Sequence, residues 1–188
     1  NGLSKNVRYS FVNEQESGAF PDVKVDYLPH ACMQCVDALC MAACPTGATY
    51  RTDEGVVLVD PETCIGCQSC GTACPDGART RVSELEPNQE EGETAYEEAV
   101  FPYHKANTVE KCTFCYDRVA LGELPVCVAT CPAHELRFGD LDDPGSDVAK
   151  IVAEGNAHTV FESNNMALSV YYTYEKGIDI DALMTSGE

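Results

Sequence analysis

Three stretches of this chain each hold four cysteines and end in Cys-Pro: CMQCVDALCMAACP at 32–45, CIGCQSCGTACP at 64–75 and CTFCYDRVALGELPVCVATCP at 112–132. Together they contain all twelve cysteines. A backbone that must aim four thiols inward over so short a distance is left with turns and single helical turns. The fold is therefore set by what the thiols hold, not by a long helix or a wide sheet.

Disulfides suit this spacing poorly. Cys64, Cys67 and Cys70 follow one another at three-residue intervals, and loops that tight make redox-active bridges, not structural ones. Zinc asks for four ligands in a tetrahedron, usually two pairs from separated turns, whereas the second stretch packs three thiols into seven residues of one loop. Its pattern, Cys64-x2-Cys67-x2-Cys70-x3-Cys74-Pro75, is the bacterial ferredoxin run, whose fourth cysteine ligates the other cluster of a pair. The first stretch, Cys32-x2-Cys35-x4-Cys40-x3-Cys44-Pro45, is the same run with two extra residues before its third cysteine. Crossed ligation then assigns Cys32, Cys35, Cys40 and Cys74 to one [4Fe-4S] cluster, and Cys64, Cys67, Cys70 and Cys44 to another.

The third stretch, Cys112-x2-Cys115-x11-Cys127-x3-Cys131-Pro132, fits a zinc ribbon as well as a cluster when taken alone. Its closing Cys-Pro, shared with the other two, favours a cluster. Gly47, Gly66, Gly71 and Gly77 let the backbone approach such groups closely. His30, His104, His134 and His158 lie outside the motifs and are expected to pack or face solvent rather than ligate.

The repetition extends beyond the thiols. Cys44-Pro45-Thr46-Gly47-Ala48 recurs thirty residues later as Cys74-Pro75-Asp76-Gly77-Ala78, so copies of one small unit are expected. Between them ATYRTDEGVVLVD predicts a hairpin, turned by Asp53-Glu54-Gly55 and continued by a strand from Val56 to Val59. Residues 83–98 carry seven glutamates with Pro87 and Gly92. They predict a segment that ligates nothing and is exposed or lies at a subunit boundary. Past the third motif, LRFG at 136–139 predicts a short strand. Asp143 as N-cap, Pro144 at the first helical position and Gly155 beyond the end frame a helix of about three turns. LSVYYTY at 168–174 predicts a last strand, with Tyr171, Tyr172 and Tyr174 packing rather than relaying electrons.

A length of 188 residues allows one domain or two small lobes. A net charge of −19 argues against nucleic acid, whose phosphates demand Lys and Arg. It leaves an ordinary solvated acidic surface or adaptation to high salt. No run of eighteen apolar residues occurs, so no direct membrane span is expected. The opening NGLSKNVRYSF lacks the regions of a signal peptide.

From about Pro21 to Val148 the chain resembles the iron–sulfur electron-transfer subunits of molybdopterin oxidoreductases. The likeness is carried by ACMQCVDALCMAACPTGATYRTDEGVVLVDPETCIGCQSCGTACPDGA, by EKCTFCYDRVALGELPVCVATCP and by LRFGDLDDP. That family includes the partners of dimethyl sulfoxide, polysulfide, thiosulfate, tetrathionate and arsenate reductases and of some formate dehydrogenases. Its members usually carry four cysteine motifs, and the resemblance implies that Cys131 serves the cluster of a first motif that this sequence lacks. Cys112, Cys115 and Cys127 are then one ligand short. Either the sequence is truncated upstream, which its start without methionine favours, or Cys131 closes a third cluster locally.

The expected fold is α+β: tandem ferredoxin-like lobes with short helices and β-hairpins wrapped around three or four [4Fe-4S] clusters. The expected organisation is a connecting segment at 1–29, a two-motif lobe at 30–82, an acidic insertion loop at 83–108, a third-motif lobe at 109–140 and an extension at 141–188. The resemblance implies a non-catalytic subunit that passes single electrons in anaerobic respiration. It would dock on a large molybdopterin (Mo or W) catalytic subunit and meet a quinone-reactive membrane anchor or a soluble carrier on its other side. The expected place is a membrane-associated complex, on the extracytoplasmic face by co-export or else on the cytoplasmic face. A free-standing polyferredoxin and a structural zinc-binding interaction protein are the alternatives.

Overall fold

The computed structural model describes residue 3 and residues 6–86, 94–160, 166–174, 178 and 180–185. The strands are β1 (Ser10–Ala19), β2 (Asp22–Ala31), β3 (Thr49–Arg51), β4 (Val57–Val59), β5 (Thr80–Val82) and β6 (Thr108–Glu110). They pair as β1 with β2, β3 with β4 and β5 with β6. The α-helices are α1 (Leu39–Ala42), α2 (Ser69–Thr72), α3 (Ala95–Val100), α4 (Tyr116–Val119), α5 (Val126–Ala129), α6 (Asp147–Ala153) and α7 (Ile180–Thr185). Small sheets and short helices make the mixed α+β architecture that the cysteine spacing implies. Two compact units interleave along the sequence: Asn1–Phe11, Pro29–Cys32 and Asp37–Cys112 form one, and Val12–Leu28, Met33–Val36 and Thr113–Glu188 the other.

In the first unit the expected hairpin is present. β3 and β4 pair antiparallel with Thr49 opposite Val59 and Arg51 opposite Val57, and the Thr52 N–H donates to the Val56 carbonyl at 2.9 Å to close the turn. Val57 and Leu58 are buried. β5 and β6 pair antiparallel across the acidic segment, Thr80 opposite Glu110 and Val82 opposite Thr108. Val82 is fully buried and packs with Leu3 and Val7, flanked by Tyr9 and Leu85. Exposure throughout 83–98 needs correcting at Glu97, which is buried in the first turn of α3. Its carboxylate accepts from the Thr94 N–H at 2.8 Å and hydroxyl at 2.9 Å, and its own N–H donates back to the Thr94 hydroxyl at 3.3 Å. This capping box satisfies the helix start and gives the buried carboxylate partners. Residues 87–93 of the same segment lie outside the described residues.

In the second unit Leu28, Met33, Val160, Leu168, Ile180 and Leu183 form the core. Asn13 ties α7 to β1, its side-chain amide donating to the carbonyls of Leu183 at 3.0 Å and Met184 at 3.3 Å. The β1–β2 hairpin occupies much of the expected connecting segment, and its turn needs Gly18. At φ +83°, a Cβ there would come within 2.3 Å of the Asp22 carbonyl oxygen.

Three local expectations change. LRFG forms no strand. LSVYYTY is not a strand either: Tyr172 alone forms a bridge, with His158. The Ser169 N–H donates to the Met33 carbonyl at 3.0 Å, and the Val36 N–H to the Ala167 carbonyl at 2.8 Å, so the run is held by a cysteine-motif turn rather than by a neighbouring strand. Helix α6 begins later than expected because Ser146, not Asp143, is its N-cap, accepting from the Ala149 N–H at 3.2 Å. Asp143 instead accepts from the Gly145 N–H at 2.8 Å, forming a turn before the helix. Gly155 follows the helix end at φ +75° as expected.

Candidate metal centres

Each Cys-x2-Cys turn is made in the same way. The residue before the second cysteine holds a left-handed backbone in all three: Gln34 at φ +48°, Gly66 at +64° and Phe114 at +55°. Such a step points successive N–H groups into one concavity, which favours anionic sulfur. After the third cysteine the first two motifs remain alike. The C-caps Ala43 and Ala73 have φ/ψ of −81°/−8° and −81°/−9°. Cys44 N–H donates to Met41, and Cys74 N–H to Gly71, both at 3.1 Å.

These turns bring cysteines of both copies together. Cys44 lines one cavity with Cys64, Cys67 and Cys70, bounded also by Thr46, Ile65 and Val59. Cys44 lies near enough to Cys67, and Cys32 to Cys74, for each pair to interact electrostatically. The four thiols line one shared cavity. A ring of sulfur donors around a space fits a polynuclear cluster. All twelve cysteines are free of disulfides. Cys35 lies in the second unit and packs against its core. Cys112 ends the first unit, and Cys115, Cys127 and Cys131 belong to the second.

Hydrogen bonds prepare several thiols for ligation. Burial would raise the Cys44 thiol, but the Thr49 N–H, 3.5 Å from Sγ, and the Thr46 hydroxyl outweigh it and bring the pKa down to about 7. The Ser69 hydroxyl, 3.4 Å from Cys67 Sγ, lowers that thiol. Cys131 is lowered by the backbone N–H groups of Leu136 and Glu135. Burial pushes Cys74 up.

Two buried basic side chains stand among the thiols, and neither follows from the motif spacing; burial lowers the pKa of Lys111. Arg79 donates to Cys40 Sγ at 2.9 Å. Lys111, 2% exposed, donates to the carbonyls of Val57 and Cys112 and hydrogen-bonds Cys32. The available signal was their placement: Arg79 lies one residue past the CPDGA repeat and Lys111 directly before the third motif. Three of the four histidines make side-chain contacts away from the thiols. His30 is buried with its ring edge-on to Phe11 at 4.3 Å, His104 contacts Glu110 at 2.8 Å, and the His158 ring lies 5.3 Å from Tyr174. His134 is exposed.

The sulfur-lined cavity and the repeated turns define an iron–sulfur protein, and the chain matches the 4Fe-4S dicluster domain family over residues 23–89 and 88–141. It belongs to that family and carries several [4Fe-4S] clusters. Within it, the chain is similar to a selenate reductase subunit of Mesobacillus selenatarsenatis, 38% identical over 187 residues covering 92% of this chain and 63% of the relative. It is similar to a putative dimethyl sulfoxide reductase iron-sulfur subunit of Halobacterium salinarum, 39% identical with 83% of this chain and 60% of the relative covered. The arsenate respiratory reductase iron-sulfur subunit ArrB of Shewanella sp. strain ANA-3 is 34% identical, with 81% of this chain and 76% of the relative covered. The chain thus spans less than two thirds of the first two relatives. The resemblance to reductase iron–sulfur subunits carried by the cysteine motifs is borne out.

Proposed function

We propose that this chain conducts single electrons within a respiratory reductase complex, between a large molybdopterin (Mo or W) catalytic subunit and a quinone-reactive membrane subunit or soluble carrier. Bound [4Fe-4S] clusters supply one-electron redox chemistry. The chain's own residues would hold the metal through thiolates, set the Arg79 guanidinium against their negative charge, place the Lys111 amine at Cys32, and donate N–H groups to sulfur. The observation that carries the reading is the cavity ringed by Cys44 from one motif copy and Cys64, Cys67 and Cys70 from the other. It supports Cys64, Cys67, Cys70 and Cys44 as one ligand set. The proximity of Cys74 to Cys32 supports the complementary set of Cys32, Cys35, Cys40 and Cys74, which Cys35 joins by motif spacing. Motif spacing alone supports assigning Cys112, Cys115 and Cys127 to a third cluster, with Cys131 serving it or a further one. The relatives' names, selenate, dimethyl sulfoxide and arsenate reductase subunits, support a catalytic partner that binds the substrate.

Among the described residues no helix is long and apolar enough to cross a membrane; the proposed place is a membrane-associated complex, with the extracytoplasmic face favoured. Iron and acid-labile sulfide analysis of the purified protein, with dithionite bleaching of its visible absorption, tests the reading. About twelve irons per chain are expected for three clusters and about sixteen for four, at four irons each. A protein holding zinc and no sulfide would overturn it, as would an isolated chain that turns over a small substrate unaided.

A further inference from the structure

Thr49 and Arg79 hold the same place in the two copies of the repeat, each directly after the Cys-Pro-x-Gly-Ala segment and thirty residues apart. They touch: Arg79 Nη1 donates to Thr49 Oγ1 at 3.2 Å. Arg79 Nη2 donates to Cys40 Sγ at 2.9 Å, and the guanidinium also hydrogen-bonds Cys70. Cys40 and Cys70 are equivalent as well, being the third cysteine of each motif, thirty residues apart. A side chain that meets its own repeat mate and both members of an equivalent ligand pair lies where the copies exchange. Because the mate is a neutral threonine, one positive charge serves two sites.

That charge is permanent and buried. Arg79 is 7% exposed, guanidinium stays protonated at all ordinary pH, and a buried cation needs anions facing it. Bound to a cluster as ligands, the sulfurs of Cys40 and Cys70 would be such anions. Reduction adds one electron, and so one negative charge, behind each of these sulfurs, with no bond made or broken. A fixed cation donating hydrogen bonds to the sulfur favours that reduced state, and burial strengthens the effect.

We infer that Arg79 is a positioning residue shared by the two paired cluster sites, holding the reduction potentials of both above the values their cysteines alone would give. The inference rests on the proposed ligand roles of Cys40 and Cys70, and it holds whether or not Cys44 and Cys74 cross between sites.

The test is an EPR-monitored redox titration of the full-length, iron-loaded chain, with dithionite as electron donor, for wild type, Arg79→Gln and Arg79→Lys. Arg79→Gln is expected to shift two midpoint potentials to lower values at unchanged iron and sulfide content. Arg79→Lys keeps the charge but loses the fork, so a downward shift at one of the two sites is expected. Loaded Arg79→Gln protein with every potential unchanged, or with only one shifted, overturns the inference. Should Arg79→Gln fail to load iron, Arg79→Lys decides: no shift at either site overturns the inference, and a downward shift supports it. Wild-type protein without iron and sulfide would instead sink the cluster reading itself. A purely structural role would change iron content or thermal stability and leave the potentials in place.

Discussion

The carbonyl oxygen of Asn107 lies 2.2 Å from where a Cβ on Gly66 would stand. Asn107 is itself held by its N–H bond to the Val82 carbonyl, at the end of the β5–β6 pair, so the oxygen cannot easily retreat. The Cys64–Cys67 turn is therefore braced by the chain that returns after the acidic segment. Gly66→Ala should cost about 1–3 kcal/mol for the left-handed backbone alone, with the clash added, and should lower iron per chain through loss at the site of Cys64 and Cys67. Thermal unfolding and iron analysis check this. A variant with wild-type values of both would show that the close approach is not needed.

Crossed ligation predicts distinct lesions for two equivalent cysteines. Cys44→Ala should disturb the same EPR signal as Cys67→Ala, and Cys74→Ala the same signal as Cys32→Ala. The opposite pairing would mean that each motif closes its own cluster.

Lys111 joins three groups through one buried amine: the carbonyls of Val57 and Cys112 and the thiol of Cys32. Lys111→Met keeps the bulk and removes the donors. Removing these buried hydrogen bonds should destabilise the fold by about 1–3 kcal/mol. The urea midpoint of the variant reads this directly, and an unchanged midpoint would contradict it.

Leu183 is 2% exposed in the second unit's core. Leu183→Ala should cost about 2–5 kcal/mol, seen as a lower unfolding temperature. Leu121, 79% exposed, serves as the control, and Leu121→Ala should leave the unfolding temperature nearly unchanged.

The thiol spacing and the β3–β4 hairpin were legible in the sequence because both are local. A turn at Asp53–Gly55 and a run of valines need only their neighbours. The β5–β6 pairing was not legible, since Thr80 and Glu110 meet across an insertion whose composition carries no pairing signal. The β1–β2 hairpin was hidden for another reason. Its apolar residues Val12, Val23, Val25 and Tyr27 are exposed, so the usual inward pattern is absent. LSVYYTY misled because β-forming residues state a preference and not a partner. Arg79 was missed because the motif grammar of a cluster names its ligands and says nothing about the charge beside them.

The second unit draws Leu28 and Met33 from early in the sequence and Val160, Leu168, Ile180 and Leu183 from its last third. A cut between Cys112 and Thr113 leaves those two groups on different polypeptides. The C-terminal piece alone would expose four of the six core side chains, while the N-terminal piece would carry the other two. The second unit cannot be harvested as the contiguous fragment that follows Cys112, because part of it lies before that point. Co-expressed halves would instead behave as a split protein, recovering the second unit only through fragment complementation.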